Sequence, residues 1–329
     1  MNILNEALIQ DIYGMQEALV DVANALRAKA EGKITNPLRT VIDFPEQQAS
    51  ALYMPSADLT AKVACLKAVT IFPQNPAQGK NTTQGVILLT DGSDGRHLAL
   101  MSATYLTRLR TGALSGLATD ALARPDAHVL TVIGTGGMAF EQVLAVLAVR
   151  PIDTIFLVNP TEAKAIALKD RLRAFGVAES VAISVERDVA KAVRQAHIIS
   201  CSTRSDTPVF NGADVQPGTH VNGVGSYLPS MQEVDFSFIQ RADKIVVDDH
   251  HGATAEAGEL IHANAQPDWS YAQLHGELAG LVTQQLAGRE RADEITFFKS
   301  VGAAYFDLAV AQGVYRQALK LNAGTEVDV

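Results

Sequence analysis

From about residue 128 onward, short runs of apolar, largely β-branched residues alternate with longer stretches of helical periodicity. Short runs that are apolar on both faces predict strands buried within a sheet. The predicted strands are 128–133, Thr154–Asn159, Val181–Val185, His197–Ser202, His220–Gly225 and Lys244–Asp248, with helices over Glu162–Phe175 and Val189–Ala196. Strands that alternate with helices indicate an α/β protein with a parallel, doubly wound sheet.

A glycine-rich turn joins the first strand to a long apolar helix, in the segment HVLTVIGTGGMAFEQVLAVLAV. Gly134 allows a tight turn, Gly136 lets the backbone approach a ligand, and Ala139 takes the small third position. The start of the helix offers free N–H groups to phosphates. We therefore predict a Rossmann-type dinucleotide-binding unit, with an ordinary strand–turn–helix as the alternative. The predicted pyrophosphate-binding residues are Gly134, Thr135, Gly136, Gly137, Met138 and Ala139.

The carboxyl ends of the strands define the rest of the predicted cofactor crevice, because ligands of such sheets bind there. These ends contribute Asn159, Ser202, Thr203, Val224 and Gly225.

The second strand ends in residues that bear on the choice of cofactor. An NAD-specific site usually has an Asp or Glu there, whereas this chain has Asn159, Pro160 and Thr161, with Lys164 a turn later. Since no carboxylate at this turn repels a 2′-phosphate, we predict that NADPH is preferred and that NADH is possible. Asn159, Thr161 and Lys164 are the expected donors. No arginine lies at this turn.

About 120 residues precede the nucleotide-binding unit and are predicted to form a domain of their own. In its strand Val63–Ile71, Lys67 shares a face with Cys65 and Val69. A buried ammonium needs an anion or a lowered pKa. The alternative is a lysine at a strand edge whose ammonium reaches solvent.

Two arginines repeat this pattern in the same region. Arg110 falls on the apolar stripe of a predicted helix over Ser102–Leu122, and Arg39 is flanked by strand-like apolar residues. Three sequestered cations in an acidic chain predict a pocket for a small carboxylate. Internal salt bridges to Asp43, Asp58 or Asp91 are the alternative.

Composition limits the partners. The chain has 329 residues, 47% hydrophobic and 19% charged, which is enough for two cores. Its net charge of -9 argues against binding to nucleic acid or an anionic membrane. Two cysteines, no signal-peptide pattern and no apolar stretch of ~20 residues predict a cytoplasmic protein. Residues 248–251 (DDHH) lack tetrahedral metal-site spacing, so we predict no metal.

Eight ordered motifs give the chain a family resemblance: NPLR, LYMPS, CLKAV, KNTTQG, LTRLRTGALSG, VIGTGGMA, VGSYLPSMQE and FFKSVG. In this order they resemble the ornithine cyclodeaminase and μ-crystallin family. The resemblance implies a substrate and dimerisation domain over 1–117 with 300–329, a Rossmann domain over 118–299, and a homodimer. It also implies roles for individual residues: Arg39, Lys67 and Arg110 on the substrate carboxylate, Lys67 and Arg110 being catalytic, Thr82 facing the substrate, Thr111 on the pyrophosphate, and Ser300 to Gly302 beside the nicotinamide.

One departure from the family pattern bears on the reaction. Cyclodeaminases of the family carry an aspartate where this chain has Tyr227, and a phenol with a pKa of about 10 is a poor base for ammonia loss. Tyr227 is expected to pack against the substrate ring or to close the crevice. The chain most resembles the ketimine reductase branch, and within it bacterial Δ1-pyrroline-2-carboxylate reductases.

The resemblance thus implies reduction of a cyclic imino acid to L-proline by NAD(P)H, in the breakdown of trans-3-hydroxy-L-proline. Reduction of Δ1-piperideine-2-carboxylate to L-pipecolate is a further possibility. The alternatives are an ornithine cyclodeaminase that recycles NAD+, and a non-catalytic protein that binds NADPH and a small ligand.

Overall fold

The computed structural model describes residues 1–328. The chain divides into two compact units, one formed by Met1–Arg110 with the chain from Ala303, and the other by Thr111–Gly302. The expected boundaries, after residue 117 and before residue 300, lie a few residues from these positions.

Sixteen strands and eleven α-helices are found in the described residues. The strands are β1 Asn2–Leu4, β2 Ile34–Thr35, β3 Thr40–Phe44, β4 Ala49–Asp58, β5 Val63–Ile71, β6 Thr83–Asp91, β7 His97–Ser102, β8 Val129–Ile133, β9 Thr154–Val158, β10 Ala182–Val185, β11 Ile198–Cys201, β12 His220–Gly223, β13 Lys244–Val247, β14 Gly276–Glu277, β15 Thr296–Lys299 and β16 Thr325–Glu326. The helices are α1 Glu6–Ile12, α2 Met15–Ala30, α3 Ala103–Leu122, α4 Ala139–Val149, α5 Glu162–Phe175, α6 Val189–Gln195, α7 Phe236–Arg241, α8 His250–Glu256, α9 Gly258–Asn264, α10 Leu278–Val282 and α11 Ala304–Leu321.

A mixed sheet forms the first unit, in the order β16-β1-β7-β6-β5-β4-β2, with β3 also paired to β4. Only the β1–β7 pair is parallel among the described pairs of this sheet. Helix α11 packs against α2 and across β4 and β5. Because side chains alternate along a strand, Cys65 and Lys67 lie on the covered face of β5 and Leu66 on the other.

The second unit is an eight-stranded parallel sheet, in the order β10-β9-β8-β11-β12-β15-β13-β14. The order around β8 is that of a doubly wound dinucleotide-binding sheet, which confirms the predicted α/β class. Apolar cores cover both faces, so that Leu130 and Val132 join one core and Ile133 the other. Strand β15, which lies between β12 and β13, was not predicted from the sequence.

Within residues 1–328, no helix combines the length and apolar character needed to cross a bilayer.

Candidate active site

The first unit contains a buried ion cluster of Lys67, Arg110 and Asp307. The Lys67 ammonium lies 2.6 Å from Oδ2 of Asp307, and Nε of Arg110 donates to Oδ1 at 3.2 Å. Lys67 is 2% exposed, Arg110 5% and Asp307 0%. Strand β5, helix α3 and helix α11 each contribute one of the three residues, and the cluster keeps one formal positive charge.

The three charges shift one another's proton affinity. Burial and, to a lesser extent, the nearby charges of Arg110 and Arg39 lower the pKa of Lys67 to about 8, against the opposing effect of Asp307. For Asp307, burial favours the neutral acid, but the charges of Lys67 and Arg110 outweigh it and hold its pKa below the usual range. The carboxylate is therefore ionised near neutral pH, while Lys67 is protonated and able to release its proton.

Arg110 retains hydrogen-bonding capacity. Its side chain makes one hydrogen bond within the described residues, through Nε, although a guanidinium has five N–H donors. Lys67 likewise donates only to Asp307 within residues 1–328. A planar guanidinium with both terminal nitrogens uncommitted is suited to a carboxylate with two oxygens.

Both buried cations, Lys67 and Arg110, are predicted from the sequence, but their partner is not. The alternative of internal pairing is realised in part, through Asp307 rather than Asp43, Asp58 or Asp91. Those three carboxylates instead accept hydrogen bonds from Ser50 Oγ, from the amides of residues 60 and 61, and from the amide of residue 93. A lone acid in the apolar run of α11 was the available signal for Asp307.

Two other predicted substrate residues lie differently. Arg39 is only half-buried, so its expected sequestration is wrong, although its charge still acts on Lys67. Thr82 lies just before β6, beside the last β5–β6 pair, Ile71 with Thr83, whereas Lys67 pairs with Ile87 in the middle of that ladder. The sheet therefore does not bring Thr82 to the ion cluster.

The predicted phosphate turn of the second unit has the geometry that a dinucleotide requires. Gly134 has a φ of +89°, and a Cβ built there would lie 2.6 Å from Cγ2 of Thr203. Apart from the adjoining residues of the turn, no described atom lies within 4 Å of a Cβ built at Gly136 or Gly137, so a ligand can approach their backbone. The buried hydroxyl of Thr135 has no hydrogen-bond partner in the described residues. An orphaned hydroxyl beside open backbone fits a bound phosphate. Met138 occupies the N-cap position of α4 without a side-chain hydrogen bond, and Ala139, the first residue of the helix, is fully buried.

Side chains connect this turn to the neighbouring strand ends. Asn159 accepts a hydrogen bond from the amide of Thr135 at 3.1 Å and donates to the carbonyl of Thr161 at 3.0 Å. The hydroxyl of Ser202 donates to the carbonyl of Gly134 at 3.0 Å. The predicted crevice residues of β8, β9 and β11 therefore lie together.

Glu233 joins the loops that follow β11 and β12. Its Oε1 accepts the amide of Thr203 at 2.6 Å and the hydroxyl of the same residue at 2.9 Å, while Oε2 accepts the amide of Gly225 at 2.8 Å. A Cβ at Gly225 would lie 2.0 Å from the carbonyl oxygen of Thr203, so only glycine permits this contact. The amide of Val224, the residue before Gly225, donates to the carbonyl of Cys201 at 3.0 Å.

A second buried network holds the end of β15. Lys299 contacts the carbonyl and hydroxyl of Ser226 and lies 3.0 Å from Glu259. Asp248 accepts the hydroxyl of Ser300 at 2.6 Å and the amide of Gly302 at 2.7 Å. Neither Glu233 nor Lys299 was predicted from the sequence, though Lys299 is, like Lys67, a single lysine in an apolar run.

The remaining predicted residues are less informative. Tyr227 is partly buried and packs against the core of the second unit, and Thr111 is buried. Around residues 248–251, Asp249 caps α8 through the amide of Gly252, and no group of three metal-ligating side chains occurs among the described residues.

Comparison with known proteins agrees with the resemblance. The model of the ornithine cyclodeaminase/mu-crystallin family matches residues 2–322. A Δ1-pyrroline-2-carboxylate reductase of Bacillus cereus is 39% identical over 320 residues, which cover 97% of either chain. The structure of Thermococcus litoralis Δ1-pyrroline-2-carboxylate reductase in complex with NADH and L-proline has a TM-score of 0.94 at 32% identity, covering 99% of this chain and 100% of that one. An archaeal alanine dehydrogenase dimer with bound NAD has a TM-score of 0.92 at 32% identity, covering 100% and 99%. The chain belongs to the ornithine cyclodeaminase/mu-crystallin family.

Proposed function

We propose that the protein is an NAD(P)H-dependent imine reductase that converts Δ1-pyrroline-2-carboxylate to L-proline. The observation that carries the proposal is the buried guanidinium of Arg110, which uses only Nε within the described residues and so has two terminal nitrogens for an anion. The relatives from Bacillus cereus and Thermococcus litoralis, which carry the name of this reductase, support the choice of substrate.

The cation cluster determines how the substrate is bound. Arg110 and Arg39 pair with the substrate carboxylate, and Lys67 adds positive charge beside them. Asp307 orients Lys67 and Arg110 and prevents their mutual repulsion from separating them. Tyr227 completes the substrate contacts in this proposal.

Reduction also requires a proton for the imine nitrogen. When bound, the reduced nicotinamide supplies the hydride that the imine carbon accepts. Lys67, with a pKa lowered by burial to about 8, donates the proton, so that C=N becomes CH–NH. No ammonia is expelled, and the aspartate that cyclodeaminases of the family use is replaced by Tyr227.

The second unit holds the dinucleotide. The turn Gly134–Ala139 and Thr111 bind the pyrophosphate, Ser202, Thr203 and Val224 line the crevice, and Ser300 and Gly302 lie by the nicotinamide. With Asn159 and Thr161 at the end of β9, NADPH is preferred over NADH. The open backbone at Gly136 and the orphaned hydroxyl of Thr135 support the assignment of the turn to the pyrophosphate.

The proposed assembly is a homodimer formed through the uncovered face of the first unit's sheet. Tyr53, Leu66 and Val86 lie on that face of β4, β5 and β6 and are 39%, 38% and 44% exposed. Contiguous exposed apolar residues of this kind mark interfaces. Leu66→Glu is expected to yield monomers in sedimentation, whereas Ile166→Glu, at a residue of the second unit that is 46% exposed, leaves the dimer intact. A monomeric unaltered protein would disprove this assembly.

An absorbance assay tests the function. Purified protein with NADPH and Δ1-pyrroline-2-carboxylate should oxidise the cofactor and accumulate L-proline. Conversion of L-ornithine to proline and ammonia without net cofactor oxidation would indicate a cyclodeaminase instead. Cofactor binding without turnover of any imine would indicate a non-catalytic binding protein.

The six-membered homologue Δ1-piperideine-2-carboxylate should be assayed alongside the five-membered substrate, because one methylene changes the binding free energy by only about 1–3 kcal/mol in an apolar pocket. We propose it as a second substrate. The breakdown of trans-3-hydroxy-L-proline is the proposed source of the first.

A further inference from the structure

The loop after β10 is firmly attached to the end of β9. The amide of Glu186 donates to the carbonyl of Leu157 at 3.0 Å. The carboxylate of Glu186 accepts the amides of Arg187 and Asp188 at 2.9 and 3.0 Å, and the ammonium of Lys191 at 2.6 Å. The backbone of Arg187 is thereby held beside the neighbouring strand.

From this position the side chain of Arg187 reaches the turn that follows β9. Its Nη2 donates to Oε2 of Glu162 at 2.5 Å, across 25 residues of sequence. Glu162 is the first residue of α5 and lies three positions after Asn159. Although the turn has no arginine of its own, the fold therefore supplies one from the next loop.

In a doubly wound sheet, the adenosine ribose of a bound dinucleotide lies at the end of the second strand. The oxygen of the Asn159 amide accepts from Thr135 and one of its two N–H donors is bonded to Thr161, so Asn159 has one donor and no charge to offer a 2′-phosphate. Arg187 and Glu162 are 81% and 45% exposed at their side chains. An ion pair this exposed is weak, so a phosphate dianion can displace the carboxylate from the guanidinium.

We propose that Arg187 determines the preference for NADPH by binding the 2′-phosphate, and that Glu162 is its partner in the absence of the phosphate. Glu162 opposes the same phosphate by charge, so the two residues act in opposite directions on one ligand group. This inference rests on the proposed dinucleotide site of the second unit.

Binding measurements on the full-length protein test the proposal without catalysis. NADPH and NADH are titrated by nicotinamide fluorescence, and adenosine 2′,5′-bisphosphate and AMP by calorimetry, at one ionic strength. Arg187→Ala should weaken NADPH and adenosine 2′,5′-bisphosphate by about tenfold or more and leave NADH and AMP unchanged, because it removes a charge-assisted hydrogen bond. Glu162→Gln should strengthen the two phosphorylated ligands several-fold.

Two further variants serve as controls. Arg194→Ala removes another exposed arginine of the second unit, the partner of Asp214. It should change neither the ratio of NADPH to NADH affinity nor the ratio of adenosine 2′,5′-bisphosphate to AMP affinity. Lys164→Ala tests the lysine of the turn itself. The role of Arg187 would be overturned if Arg187→Ala left the ratio of NADPH to NADH affinity unchanged, or if Lys164→Ala alone removed all of the selectivity. In either case, binding of NADH would still support the dinucleotide site. Failure of the unaltered protein to bind either nicotinamide would overturn both proposals.

Discussion

Two buried lysines, one in each unit, differ in how completely their ammonium groups are satisfied. Lys299 contacts two oxygens of Ser226 and one of Glu259, which accounts for all three of its N–H donors. Lys67 has one protein acceptor, Asp307, within the described residues, and it shares that carboxylate with a guanidinium. Both lysines are almost fully buried.

We propose that this difference separates a structural lysine, Lys299, from a functional one, Lys67. A saturated ammonium holds loops together and has no donor left for a ligand. An under-satisfied buried ammonium carries a cost that a bound anion relieves, and burial lowers the pKa of Lys67 to about 8. The same substitution, lysine to methionine, should therefore give opposite results at the two sites.

The largest expected effect is on catalysis at the first cluster. Lys67→Met, and likewise Arg110→Ala, should lower kcat/KM for Δ1-pyrroline-2-carboxylate by about 10²–10⁴-fold, because each removes substrate charge pairing or the proton donor. Each variant leaves Asp307 one cation, so the protein should remain folded in circular dichroism. Near-normal kinetics in both variants would eliminate this site.

The next effect is on stability at the second cluster. Lys299→Met leaves Glu259 buried without its cation, which should lower the free energy of unfolding by about 3–5 kcal/mol. Urea denaturation measures the loss, and kcat/KM of the folded fraction should stay close to that of the unaltered protein. The assignment of the two lysines would be wrong if Lys67→Met lowered the free energy of unfolding more than Lys299→Met, and if Lys299→Met lowered kcat/KM more than Lys67→Met.

A smaller effect is expected at the carboxylate that joins two loops of the second unit. Glu233→Gln replaces one acceptor oxygen with an amide donor facing a backbone N–H, at a cost of about 1–3 kcal/mol. Because Thr203 and Gly225 then move, the Kd for NADH should rise several-fold in a fluorescence titration. Glu294→Gln, a buried carboxylate that precedes β15, is the matched control and should lose stability without a change in this Kd. Equal Kd values in the two variants would argue against a positioning role for Glu233.

A last effect, confined to alkaline pH, is a pH dependence of the rate carried by Lys67. The ammonium is present below its pKa of about 8 and is lost as the pH rises through that value, so kcat/KM should fall by up to about tenfold per unit above pH 8. Lys67→Arg should move this decline to higher pH, since a guanidinium keeps its charge. Any titration of the substrate itself affects the pH–rate profiles of the unaltered protein and of Lys67→Arg equally. If kcat/KM declined at the same pH in both proteins, Lys67 would be excluded as the group whose titration causes the decline.

Stability should respond to Lys67 with the opposite sign. Between the folded pKa of about 8 and the ordinary 10.5, the unfolded chain binds more protons, so the contribution of Lys67 to stability rises with pH. Unfolding therefore does not explain a loss of rate in that window.

The sequence predicted much of the fold and the cations of the site, because these leave local signals. Single charges within apolar runs identified Lys67 and Arg110, and apolar runs at regular spacing gave most strands of the parallel sheet. Asp307 lies 240 residues from Lys67, and no local pattern connects them. Its pairing depends on α11 packing against β5, which is a property of the tertiary structure.

Charges on loops were predicted less well than charges in regular elements. The ion pair of Arg187 with Glu162 was not predicted, because no residue of the turn after β9 indicates it; the order β10-β9-β8 brings the next loop beside that turn. Glu233 was overlooked because its partners are backbone amides, which have no signature in a sequence. Strand β15 is four residues long and was not assigned.

Asp307 belongs to a helix that leaves the ribosome only after the entire second unit has been made. Until then, the nascent first unit has an ammonium and a guanidinium destined for its interior and no counter-ion for them, so it cannot close around both. The first unit should therefore be completed late, although most of it is translated before the second, while the central Rossmann body can already be formed. A stop codon ahead of α11 would remove both the helix that covers the sheet and the carboxylate of Asp307, which compensates the buried charges of Lys67 and Arg110.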